Sequence, residues 1–466
     1  MNVRKALFGL TLLLLFGNGV AVAADIEKVE TLSAKDKTLL GTKYRYGIGV
    51  EKDYEKSTKW FTMAAEEGDV TAQKMLAGIF LFGTFYTRNT DAAIKWYTIA
   101  AEGGDMHSQS LLGYMYFTGF GGGYSFPVNK KKAIRYYTKA AEQGDVESQH
   151  ELGDIYNYGK SVPENNKTAV IWYTKAAEQG NVESQYSLGL MYRYGSGIPP
   201  NKQKAVEWYT KAAEQGDISS QNELGDIYDN GDGVPENDKT AVMWYTKAAE
   251  QGSNSALNDL GLIYESAENY QTAVMWYTKA AEQGYGQAQT NLGVMYEFGM
   301  GVPENLKTAV MWYTKAAEKG WPRGQTNLGV MYELGRGVPE NLKTAVMWYT
   351  KATEKGYARA QEKLGIMYDK GKGVPENDKT AVMWYTKAAE RGNPNGQNNL
   401  GVMYEFGMGT LTDTKRAYMW YNIAASNNSD QGAKNKSKVA KKMTPVQIDK
   451  AQDMSSRCLD SNYTDC

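Results

Sequence analysis

A nine-residue phrase, TAVMWYTKA, occurs five times in the chain, beginning at Thr240, Thr272, Thr308, Thr344 and Thr380. The starts lie 32, 36, 36 and 36 residues apart. Self-similarity at a period in this range marks a repeat architecture, in which each period is one supersecondary unit that buries its apolar face only against its neighbours. That single feature removes most folds a chain of 466 residues could otherwise adopt.

Aligning on the Trp of the phrase exposes the whole array. The position holds Trp60, Trp96, Tyr136, Trp172, Trp208, Trp244, Trp276, Trp312, Trp348, Trp384 and Trp420. A second marker, a Leu usually 20 residues earlier, recurs from Leu40 through Leu76, Leu112 and Leu152 to Leu400. Eleven units follow. In the unit 321–356, GQTNLGVMYELG predicts a first helix with Leu328, Gly329 and Tyr332 on one face. Gly329 costs that helix about 1 kcal/mol against Ala, so it implies close approach of a neighbouring helix. GRGVPEN is a turn, and Asn341 is placed to cap the next helix. There Ala345, Trp348, Tyr349 and Ala352 recur at i, i+3, i+4 and i+7. Gly356 ends the helix, and its equivalent in the last unit is Asn428. The phrase therefore reads as packing code, with the small Ala residues admitting neighbours and the Trp filling the space between helices.

These residues resemble the Sel1-like repeat. The likeness is carried by AQTNLGVMYEFGMGV (288–302) and QKAVEWYTKAAEQG (203–216), and it extends over about residues 33–428. It implies an all-α, right-handed superhelical solenoid of helix-turn-helix units related to tetratricopeptide repeats. It also implies a non-enzymatic adaptor, scaffold or host-interaction factor that binds proteins along a concave groove. Some cysteine-rich secreted members carry a β-lactamase label, which makes a cell-wall or β-lactam hydrolase the rival expectation. Those members have a disulfide in each repeat, whereas this chain has no Cys before Cys458. The S-x-x-K, S-D-N and K-T-G motifs of serine β-lactamases do not occur either.

Composition narrows the chemistry further. The only histidines are His107 and His150, and the only cysteines Cys458 and Cys466. A Cys/His zinc site needs about four such ligands close together. Lys+Arg is 52 against Asp+Glu 53, so no overall basic excess points to nucleic acid. No cofactor is expected. Residues 1–23 read as a cleavable signal peptide: Arg4 and Lys5, the apolar run Ala6 to Phe16, and AVA at Ala21 to Ala23. Export to the periplasm or beyond follows, with no membrane insertion of the mature chain. Residues 24–32 are a lead-in, 429–443 a basic connector, and 444–466 a capping helix with a Cys-bounded tail. In that tail Thr444, Pro445 and Gln447 form a helix-start signature, and Cys458 and Cys466 are expected to pair in an oxidising compartment.

If the first helices line the groove, three columns face it. Five residues after the marker Leu stand Asp229, Glu265, Glu297, Glu333, Asp369 and Glu405. One residue further the column includes Tyr46, Phe82, Tyr158, Tyr194, Phe298 and Phe406. One residue before the Leu stand Asn291, Asn327 and Asn399, able to donate to and accept from an extended peptide backbone. Carboxylates in the last turn of a helix oppose its dipole by about 0.3–1 kcal/mol each. Two readings stay open for them: an acidic, aromatic-lined groove, or a surface residue copied by repeat duplication.

Overall fold

The computed structural model describes residues 32–83, 88–121, 124–125, 127–464 and 466. The signal segment and most of the lead-in lie outside the described residues. The described chain is an all-α repeat solenoid of helix hairpins. In order the helices are α1 (Ala34–Tyr46), α2 (Tyr54–Glu66), α3 (Val70–Phe82), α4 (Thr90–Glu102), α5 (Met106–Thr118), α6 (Lys130–Glu142), α7 (Val146–Asn157) and α8 (Asn166–Glu178). Then come α9 (Val182–Tyr194), α10 (Lys202–Glu214), α11 (Ile218–Asn230), α12 (Asp238–Glu250), α13 (Asn254–Ser266), α14 (Tyr270–Glu282), α15 (Gly286–Phe298) and α16 (Leu306–Glu318). The last are α17 (Pro322–Leu334), α18 (Leu342–Glu354), α19 (Ala358–Asp369), α20 (Asp378–Ala389), α21 (Pro394–Phe406), α22 (Thr414–Ser426), α23 (Asp430–Ala440) and α24 (Pro445–Asp460). The insertion between α5 and α6 makes a two-residue antiparallel pair, β1 (Phe120–Gly121) with β2 (Tyr124–Ser125). Two compact units divide the chain at the C-terminal end of α11.

Each hairpin begins and ends for local reasons. Asn341 accepts a hydrogen bond from the Thr344 amide at the start of α18, and Asn305 and Asn377 do the same for α16 and α20. Such a cap satisfies one of four orphaned N–H groups and is worth about 1 kcal/mol. After the last turn of α18, Gly356 takes φ +72°, and Asn428 takes φ +63° after α22. In the turn, Gly337 combines φ +72° with a tight approach. A Cβ there would stand 2.5 Å from the Leu306 carbonyl oxygen of the preceding hairpin.

The core differs from the expectation in one respect. The residue that fills the hairpin is the Tyr following the marker Trp. Tyr97, Tyr137, Tyr173, Tyr209, Tyr245, Tyr277, Tyr313, Tyr349, Tyr385 and Tyr421 are among the largest fully buried side chains. Each is worth roughly 1.5–3 kcal/mol in burial. The glycine of the first helix is there to receive this ring: a Cβ on Gly329 would lie 2.6 Å from Tyr349 Cε1. The Trp instead sits at the seam with the preceding hairpin, as Trp348 packs against the Tyr313–Leu328–Met331 cluster. Most of these Trp rings are half-buried, and a Lys three residues on lies over them at 3.9–4.5 Å from Trp172 to Trp384.

A glutamine ties successive hairpins. Gln325 Nε2 donates to the Ala317 carbonyl at the end of the preceding helix, at 3.1 Å. Gln73, Gln109, Gln149, Gln185, Gln221, Gln289 and Gln397 repeat the bond at 2.8–3.1 Å. Those carbonyls lie in the last turn of the helix and accept a second bond from the glycine that ends it, as Ala317 does from the Gly320 amide at 2.9 Å.

The C-terminus departs from the expected connector. The basic segment within 429–443 forms α23, which occupies the place of a further first helix against α22 and α21. The capping helix α24 starts as the sequence indicates, with a Thr444–Gln447 capping box and Pro445 in the first turn. Cys458 and Cys466 are joined by a disulfide.

Candidate functional site

The first helices carry the three columns, and the structure treats each differently. The acidic column turns inward. Tyr313 OH donates to Glu297 Oε2 at 2.7 Å, and Glu297 also accepts from Arg336 Nη1 of the next hairpin at 2.6 Å. Tyr277 OH donates to Glu265 at 2.5 Å and Tyr349 OH to Glu333 at 2.6 Å. Tyr385 OH reaches Asp369 at 3.4 Å, and Tyr421 OH reaches Glu405 at 2.9 Å. Asp369 is also paired with Lys370, and Glu405 with Lys442. Asp229 is engaged as well. In these five hairpins the carboxylate is the acceptor for the buried Tyr hydroxyl. Burial, with the carboxylate beside them, pushes the Tyr277, Tyr313, Tyr349 and Tyr421 hydroxyls well above the ordinary phenol range.

The first unit shows the same rule by its exceptions. Where the acidic position holds Leu81, Phe117 or Arg193, the facing hydroxyls of Tyr97, Tyr137 and Tyr209 have no hydrogen-bond partner among the described residues. Where it holds Arg45, the core residue is Phe61, which needs none. Tyr173 finds its acceptor one turn earlier, at Asp154 Oδ1, 2.7 Å away.

The asparagine column is not an open ladder. Asn291 and Asn327 are buried between first helices of successive hairpins. Asn291 donates to Asn258 at 3.0 Å and accepts from Arg323 at 2.9 Å. Asn327 accepts from Arg359 at 3.4 Å. Asn399, half-buried, accepts from Asn398. The Asn291 and Asn327 amides hold neighbouring first helices in register, while the Asn399 bond lies within its own helix.

The aromatic column does face water. Tyr158 and Tyr194 in the first unit, and Phe298 and Phe406 in the second, are 61–66% exposed. Tyr46 and Leu334 stand open in the same column, while Phe82 is half-buried. Each of the four carries a cation over its ring: Lys160 on Tyr158 at 4.9 Å, Arg193 on Tyr194 at 5.6 Å, Arg336 on Phe298 and Lys442 on Phe406 at 6.0 Å. Arg336 and Lys442 are the same cations that pair with Glu297 and Glu405. The buried acid thus anchors the cation that stands beside the exposed ring.

One cluster has the composition of a nucleophilic triad. Ser184 Oγ is 2.9 Å from His150 Nδ1, and His150 Nε2 is 4.0 Å from Asp154 Oδ1. Ser184 is fully buried, and Asp154 already accepts from Tyr173 and from Lys160 at 3.0 Å. No substrate carbonyl can reach the Ser184 hydroxyl, so the cluster is a polar seam joining α7 to α9. A second network, Arg193 with Glu223 and Asp232, and Lys202 with Asp232 at 2.5 Å, links α9, α10 and α11. Burial raises the Glu223 carboxyl against the opposing pull of Arg193. Among the described residues, an open depression of about 490 Å³ lies at the ends of α18 and α20, lined by Glu354, Trp384, Lys387, Glu390 and Arg391. It is a shallow, mixed-charge trough on the surface.

The Sel1 repeat pattern matches eleven segments: 38–69, 70–105, 107–145, 146–181, 182–217, 218–253, 255–285, 286–321, 322–357, 358–393 and 394–429. The chain belongs to the Sel1 repeat family. Among solved structures it is similar to a protective antigen of uropathogenic Escherichia coli strains that displays an SLR fold. The two share 35% identity over 94% of this chain and 95% of that one, with a TM-score of 0.71. A Sel1 repeat protein from Oxalobacter formigenes is 31% identical over 70% of this chain and 92% of that one, with a TM-score of 0.52. No curated protein matches the chain. Sel1 repeats are generally non-catalytic and typical of protein-interaction scaffolds. Among the described residues, no helix is long and apolar enough to cross a membrane.

Proposed function

We propose that this Sel1 repeat protein is an exported, non-enzymatic scaffold that binds partner proteins through the exposed aromatic column of its first helices. The observation that carries the reading is that Tyr158, Tyr194, Phe298 and Phe406 stay open to water at one repeat position while nearly every other residue on those helices is half-buried or buried. Exposed aromatic rings flanked by Arg or Lys are the residues that dominate binding energy at protein interfaces. The acidic and asparagine columns support those rings from beneath and take no direct part in the contact. Export is supported by the basic, apolar and small-residue N-terminal pattern and by the Cys458–Cys466 disulfide. A role toward a host is supported by the E. coli relative, which is described as a protective antigen.

The test is affinity capture with the chain from Asp25 as bait, against periplasmic extract and separately against host surface and secreted proteins. A matched bait carries Tyr158→Ser, Tyr194→Ser, Phe298→Ser and Phe406→Ser. A partner held by the first bait and lost by the second is the expected result. A partner held equally by both removes the aromatic column from the contact. Turnover of a chromogenic β-lactam or labelled peptidoglycan by the purified chain would overturn the non-enzymatic reading.

A further inference from the structure

The second helix of each hairpin in the second unit has an outward residue that packing does not explain. Met243, Met275, Met311, Met347 and Met383 stand two residues before the buried Tyr, about 200° around the helix and so opposite the core. They are 42–44% exposed. In the first unit the same position is charged in Lys59, Lys95, Arg135 and Glu207, and apolar only in Ile171. A solvated face therefore tolerates charge there, and five consecutive hairpins keep Met instead. The five side chains stand at one repeat position on the outward face of successive hairpins, a stripe in the repeat. Unbranched, polarizable Met side chains adapt to whatever helix packs on them.

The sixth copy of this face shows what covers it. Met419, in the equivalent position on α22, is 0% exposed because α24 lies over it. The covering helix presents Ala451, Ser455 and Cys458, a buried stripe of small residues at i, i+4 and i+7. Ser455 Oγ donates to the Met419 carbonyl at 3.4 Å, and Gln452 donates to Tyr418 OH at 3.3 Å. One residue marks the covered copy: Ile423 stands where the open copies carry Lys, such as Lys247 and Lys387. Under α24 that position is buried and apolar, while in the open copies it is cationic.

We propose that the outward methionine face of α12, α14, α16, α18 and α20 is a docking surface for an amphipathic helix of a partner protein. That helix has a small-residue stripe like that of α24, flanked by carboxylates that meet the lysines standing where α22 has Ile423. The site is separate from the aromatic column of the first helices.

The test uses the full chain with ¹³C-methyl-labelled methionine and two synthetic peptides. One is the α24 sequence, residues 444–463 with Cys458→Ser; the other adds Ser456→Glu and Arg457→Glu. The acidic peptide is expected to shift the five outward methyl signals and to bind about tenfold or more tighter than the plain one, a difference of about 1.4 kcal/mol. Changing all five Met to Lys, the residue found at Lys59 and Lys95, is expected to weaken binding at least about tenfold. A Met→Gln set should do the same, and circular dichroism checks that both sets stay folded. The serine variants of the aromatic column should leave this binding unchanged, so the two sites succeed or fail separately. Absence of methyl shifts at about 1 mM acidic peptide would overturn the proposal. So would shifts produced by phosphatidylglycerol vesicles and not by the peptide, which would assign the stripe to a lipid surface.

Discussion

At the scale of the residue, the acidic column is settled by comparing magnitudes. A carboxylate in the last turn of a helix costs about 0.3–1 kcal/mol against the dipole. A charge-assisted hydrogen bond to a buried Tyr hydroxyl returns about 1.5–3 kcal/mol. The bond wins, and the repeat keeps Glu or Asp where dipole arguments alone would remove it. Glu333→Leu should therefore destabilise its hairpin by about 1–3 kcal/mol, because it leaves the Tyr349 hydroxyl unpaired as Tyr97 and Tyr137 are. In a Tyr349→Phe background the same change should cost far less, giving a coupling of about 1–2 kcal/mol. Repeat arrays open locally, so amide exchange in α17 and α18 is the suitable readout. A coupling under about 0.5 kcal/mol would mean the acid is kept for another reason. Glu362 is the opposite case. It is buried on α19, and burial raises its carboxyl above the usual range. A raised acid favours the folded state while protonated. Its contribution is complete below the unfolded value near pH 4.3 and is lost as pH rises through the higher folded value. Glu362→Gln should raise the melting temperature at pH 7.5, and the gain should fade as the pH is lowered toward 4.

At the scale of the element, most of the hairpin was legible because its signals are local. Asn341, Gly356, Thr444 and the 3.6-residue apolar period each act within one turn of helix. The glycine of the first helix was legible as a sign of close approach, but the ring that approaches was not. Trp and Tyr are adjacent in WYTKA, and helical spacing alone does not say which of two large neighbours faces inward. The structure gives the hairpin interior to the Tyr, and the Trp goes to the seam under its Lys. The glutamine tie was missed for a related reason. Gln325 and its equivalents look like polar surface in sequence, and the signal for burial was their fixed place three residues before the marker Leu in nearly every unit. The polar columns do lie on the first helices, yet most of their partners lie 12 to 39 residues away, as for Tyr277 with Glu265 and Arg336 with Glu297. Spacing finds a column; it does not find what each member is bonded to.

At the scale of the whole molecule, stability is a sum of hairpin terms and nearest-neighbour terms, so the effect of a change should decay along the chain. The C-terminus offers a clean case. The last hairpin is covered twice, by α23 on the side where a further repeat would stack and by α24 on its outward face. Tyr463, just past α24, adds a hydrogen bond in which Asn427 Nδ2 donates to its hydroxyl at 2.9 Å, and the Cys458–Cys466 disulfide holds that tail against the helix. Removing residues 444–466 uncovers Tyr418, Met419 and Ile423, three apolar side chains worth roughly 1.5–3 kcal/mol each when buried. Hydrogen exchange should then accelerate strongly in α22 and α23, weakly in α20 and α21, and not measurably in α1 to α10. Met419, protected in the full chain, should become as sensitive to peroxide as Met383, which peptide mapping by mass spectrometry reads directly. Uniform acceleration through α1 to α23 would instead mean that the array unfolds as one cooperative block, and that the cap secures far more than its neighbours.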